Sequence, residues 1–77
     1  MKIKVQLFGM LSEKAGALSV EVADVENTDE VMRQLIERFP SLQGMQCNIS
    51  VNQTIYKENV DVYDGDEVAL LPPFAGG

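Results

Sequence analysis

The residues of this 77-residue chain best suited to chemistry are the last six, Pro72-Pro73-Phe74-Ala75-Gly76-Gly77. Two successive prolines cannot continue a ladder inside a sheet. They favour a stiff polyproline conformation that projects from the body. Six extended residues reach roughly 20 Å, far enough to deliver a terminal carboxylate into another protein's active site. Glycine at the last two positions keeps the thread narrow, permits dihedrals closed to other residues, and leaves the carbonyl carbon open to attack. A carboxylate is a poor acyl donor until it is activated, and adenylation implies a partner that uses ATP. Gly77 is therefore the candidate reacting group, with Pro72, Pro73, Phe74, Ala75 and Gly76 as the segment that inserts into a tunnel.

Other chemistries are excluded by what the chain lacks. It has one cysteine, Cys47, and no histidine. Ser-His-Asp and Cys-His catalysis are unavailable, as are the usual zinc ligand sets, and no metal site is expected. One cysteine cannot form an internal disulfide, so nothing points to an oxidising compartment. Cys47 as a sulfur relay is weighed against the simpler role of a small apolar residue, which is favoured. Asp64-Gly65-Asp66 reads as turn chemistry rather than a cation site. The net charge of −6 argues against a nucleic-acid partner and suits a protein with a basic docking face. No apolar run has membrane-spanning length, and the N-terminus lacks a signal-peptide pattern. The cytoplasm is the expected location.

The elements that would position the tail follow from periodicity. Ile3, Val5 and Leu7 alternate with Lys2, Lys4 and Gln6, which predicts a half-buried strand. Phe8 adds an aromatic to its polar side. Met10 to Gly16 reads as a loop with one helical turn, and Leu18 to Val22 as a second strand paired in a hairpin. Asn27 or Thr28 can cap a helix whose apolar stripe is Val31, Met32, Leu35, Ile36 and Phe39. Pro40 ends it. Ile49 and Val51 mark a third strand, Asn52-Gln53 a turn, and Ile55-Tyr56 a short edge strand. Glu67 to Leu71 is apolar on both faces, as in a central strand. Strand, strand, helix, strand, short strand, strand, with a right-handed crossover, predicts an α+β roll of the β-grasp, or ubiquitin-like, class. A mixed sheet is crossed by one main helix, residues 1–71 form the domain, and 72–77 form a projecting tail. Phe8, Leu71 and Phe74 lie beside the tail and are the candidate partner interface. Burial of Val31, Leu35, Ile36 and Phe39 against Ile3, Val5, Leu7 and Val68 is expected.

The run Asp64-Gly65-Asp66-Glu67-Val68-Ala69-Leu70-Leu71-Pro72-Pro73-Phe74-Ala75-Gly76-Gly77 resembles the ending of the small subunits of molybdopterin synthase, a ubiquitin-like sulfur-carrier family. Phe8-Gly9 with Glu13, Ala15 and Gly16, and Val51-Asn52, resemble other positions of that family. Phe74-Ala75 departs from it, since Val or Ile with Ser or Thr is common there. The resemblance covers essentially the whole chain and implies a cycle. An ATP-dependent activating enzyme adenylates Gly77, and a sulfur donor converts it to a thiocarboxylate. The tail then enters the large synthase subunit and gives sulfur to a pterin precursor. No cofactor is held stably, and the catalytic side chains belong to the partners. The alternatives are a sulfur carrier for thiazole, cysteine or tRNA thiolation, a ubiquitin-like protein modifier, and an interaction domain whose terminus does nothing.

Overall fold

The computed structural model describes residues 2–73. Lys2–Leu7 forms β1, Met10–Ala15 α1, Ser19–Ala23 β2, Thr28–Arg38 α2, Asn48–Val51 β3, Thr54–Tyr56 β4 and Val68–Leu71 β5, with a short 3-10 turn at Pro40–Leu42. The five strands make one mixed sheet in the order β2-β1-β5-β3-β4. β1 pairs antiparallel with β2, and parallel with β5 in the register Val5↔Val68, Leu7↔Leu70. β5 thus occupies the centre, as its two-sided apolar sequence requires.

The alternation of β1 is realised residue by residue: Ile3, Val5 and Leu7 are buried and Lys2, Lys4 and Gln6 exposed. The buried set joins Val20, Val22, Val31, Leu35, Val68 and Leu70 in a single core. Helix α2 starts where the sequence allows a cap. Asn27 is extended and its side chain accepts the Glu30 N–H at 2.9 Å. The Glu30 carboxylate in turn accepts the Glu26 N–H at 2.8 Å, so two otherwise orphaned donors are satisfied. A distant loop adds to this cap, because Asn59 Oδ1 accepts both the Thr28 hydroxyl at 3.1 Å and the Asp29 N–H at 2.8 Å.

Helix α2 also closes one edge of the sheet. Gln34 donates to the Ala23 carbonyl and Arg38 to the Glu21 carbonyl. These groups belong to edge strand β2, whose unpaired carbonyls would otherwise invite a foreign strand. At the opposite end, Asn52 and Gln53 both take positive φ, 51° and 72°, giving the twist that a two-residue hairpin needs.

Four expectations differ from the structure. Ile36 and Phe39 are only partly buried, because the stripe of α2 is wider than the surface the sheet offers. The Met10–Ala15 segment is helical throughout its six residues rather than a loop with one helical turn, and is anchored by buried Leu11. β2 begins at Ser19, and Leu18 remains 79% exposed. β5 begins at Val68, since Glu67 is held at the Asn52 turn and is not in the ladder.

Candidate functional site

β5 runs through the sheet centre and delivers the chain to Pro72 and Pro73 at the end where β1 also finishes. The Phe8 N–H donates to the Leu70 carbonyl at 3.2 Å, carrying the pairing one step past the ladder. The register that sets Leu7 beside Leu70 brings Phe8 beside Leu71. Alternation turns both away from the core. Phe8 is 44% exposed and Leu71 is half-buried. Two of the three predicted interface residues are therefore adjacent at the tail exit. Phe74, the third, lies outside the described residues, as do Ala75, Gly76 and Gly77.

The sheet face opposite α2 is open and concave. It encloses about 750 Å³ and is lined by Lys2, Lys4, Phe8, Ile55, Ala69 and Leu71, among others. Its tail end is apolar, while the start of β1 adds two ammonium groups. An aromatic and aliphatic patch with a polar surround has the composition common at docking surfaces. The alternation of β1 already aims Lys2 and Lys4 at this face. Ile55 and Ala69 join it only through the strand order, which no local pattern in the sequence reveals.

Two further features shape the exit. Gly9 has φ 59°, and a Cβ built on it would lie 3.1 Å from Pro72 Cγ, so the first proline rests directly on its backbone. Asn52 fixes the start of β5. Its N–H donates to the Glu67 carbonyl at 2.7 Å, its Oδ1 accepts the Glu67 N–H at 3.0 Å, and its Nδ2 donates to Asp66 at 3.1 Å. The other Asp66 oxygen accepts the Tyr63 N–H at 2.8 Å. Both oxygens of this carboxylate are engaged in turn chemistry, with Gly65 supplying φ 88°.

Cys47 is separate from all of this. It is half-buried and lines a different cleft with Met32, Ile49 and Tyr56. Burial pushes its thiol pKa up, which disfavours the nucleophilic thiolate.

Comparison with known proteins agrees with this geometry. Residues 5–77 match the sequence model of the ThiS family. The molybdopterin synthase sulfur carrier subunit of Chlamydomonas reinhardtii is 34% identical, with 100% of both chains covered. The crystal structure of SAMP1 from Haloferax volcanii superimposes with a TM-score of 0.85 at 27% identity, covering 100% of each chain. Subunits 1 and 2 of the molybdopterin-converting factor of Helicobacter pylori have been solved as a complex. A chain of that complex matches with a TM-score of 0.70 at 26% identity, again over 100% of both chains. A central strand that ends in two prolines beside an exposed aromatic is thus placed in a sheet of the β-grasp class, and the chain belongs to the ThiS family.

Proposed function

We propose that this chain is the sulfur-carrier subunit of molybdopterin synthase and that the Gly77 carboxylate is its reacting group. The carrying observation is the full-length likeness to a protein named as that subunit. It is supported by the exit of β5 through Pro72 and Pro73 beside Phe8 and Leu71. In this reading a Gly77 carboxylate oxygen attacks the α-phosphorus of ATP on an activating enzyme and pyrophosphate leaves. Sulfide from the donor then adds to the acyl carbon and AMP leaves, giving a thiocarboxylate. The carrier contributes reach and an unhindered carbonyl, and its partners contribute acids, bases and the nucleotide site. The tail then delivers the sulfur to a pterin precursor inside the large subunit. The work of a small domain without histidine is positional, and proximity alone can supply several orders of magnitude in rate.

The test is intact-protein mass spectrometry after incubation with activating enzyme, ATP and a sulfur source. The expected result is a mass gain of one oxygen replaced by sulfur, located on the C-terminal peptide. A gain located on Cys47 overturns the reading. The resemblance to SAMP1, a small archaeal modifier protein, favours a second reading in which the same activated carboxyl acylates lysines. That reading would appear in cells as isopeptide-linked conjugates, and would displace the first if no thiocarboxylate formed.

Docking on the large subunit is assigned to the open face. Phe8→Ala is expected to weaken that complex by about tenfold, since exposed aromatic anchors dominate such interfaces. Titration calorimetry with the large subunit measures it. An unchanged Kd would remove Phe8 from the interface.

A further inference from the structure

We infer that Gly9 is a positioning residue for the Gly77 carboxylate, because its missing side chain lets Pro72 lie against the backbone and so sets the direction in which the tail leaves β5. The inference rests on the reading of Gly77 as the reacting group. A Cβ at position 9 would meet Pro72 Cγ at 3.1 Å and Cδ at 3.7 Å, and the first distance is tight enough that a few tenths of an ångström must be given up. One of the two must yield, and Gly9 is the better held. Its carbonyl accepts the Ser12 hydroxyl at 2.8 Å, the Ser12 N–H at 3.2 Å and the Glu13 N–H at 3.4 Å. On one side it is tied to the sheet through the Phe8–Leu70 bond, and on the other to α1, anchored by buried Leu11. The Pro72 ring cannot swing aside as a flexible side chain would, because it is closed onto its own backbone nitrogen. Beyond what a change of pucker absorbs at Cγ, a displacement of the ring is a displacement of the chain, passed to Pro73 through a stiff pair.

The positive φ of 59° with ψ −135° offers a competing account, in which Gly9 serves only its own backbone. A double-mutant cycle separates the two. In the charging assay with activating enzyme, ATP and a sulfur source, Gly9→Ala is expected to lower kcat by about tenfold, with KM for the carrier little changed. Loss of docking would instead raise KM. Pro72→Ala removes both contacting ring atoms, so adding it to Gly9→Ala should restore most of the rate relative to Pro72→Ala alone. If Gly9→Ala alone fails to fold, recovery of folding and charging in the double variant is the supporting result. Absence of rescue, or a Gly9→Ala chain charged at the wild-type rate, overturns the inference while leaving the Gly77 reading intact. A wild-type chain that takes no sulfur at Gly77 overturns both.

Discussion

Leu35→Ala is expected to cost the domain about 2–5 kcal/mol, read as a lowered midpoint in urea unfolding with the slope unchanged. Leu35 is fully buried and sits in the core that α2 shares with β1, β2 and β5. Its removal takes away the burial of a large aliphatic group and leaves a cavity whose walls belong to different elements. Folded domains hold only about 5–15 kcal/mol in reserve, and a chain this short buries proportionately less of its surface than a large one. Such a loss would therefore bring the variant close to unfolding. Ile36→Ala is the internal comparison. Ile36 is only partly buried, so its truncation should cost about half as much or less, although the two residues are neighbours in sequence. Equal losses at the two positions, or a Leu35 effect below about 1 kcal/mol, would mean that α2 does not meet the sheet through Leu35.

That contrast marks where the sequence is readable. Period two in β1 and helical spacing in α2 identify the faces that meet, because each face must leave water as a unit. The centrality of β5 was legible because Glu67 to Leu71 is apolar on both faces, although one of those faces, with Ala69 and Leu71, is left open. A cap at Asn27 or Thr28 was legible because both are short acceptors ahead of the helix, and the structure takes Asn27. Other features depend on partners far along the chain. How much of the α2 stripe is covered depends on the width of the sheet, which left Ile36 and Phe39 at its margin. Val62 is buried without belonging to a strand, held by its N–H bond to the Glu26 carbonyl, and no local pattern announces that. The six residues of α1 are too few for one period to be told from another.

The candidate site divides in the same way. Phe8 was legible on the polar side of β1 by alternation, and Leu71 only by its place beside the tail. The resting of Pro72 on Gly9 was not, since it joins the end of β1 to the end of β5 through the strand order. The resemblance of Val51-Asn52 to a family position carried no role in the sequence. In the structure Asn52 bonds Asp66 and Glu67 at the start of the final strand. Its effect on the tail is exerted through the placement of β5.

Deleting Gly77 is expected to abolish sulfur charging, with a loss of at least about a hundredfold. A tail shortened by one residue withdraws the terminal carboxylate by roughly 3.5 Å, and about 1 Å of misplacement at a reacting centre is enough for a loss of that order. Adding an alanine after Gly77 should be equally damaging. The carboxylate is then displaced forward, and its α-carbon carries a methyl group in a space that glycine leaves empty. Neither change alters a described residue of the core or of the open face, so both variants should unfold like the wild type. Cys47→Ser is the complementary variant. Its thiol lines a cleft formed by other elements, with a pKa raised by burial, and the variant should be charged at close to the wild-type rate. Intact-mass measurement after incubation with activating enzyme, ATP and a sulfur source reads all three. Charging that persists without Gly77, or disappears with Cys47, would relocate the sulfur from the terminus to the side chain.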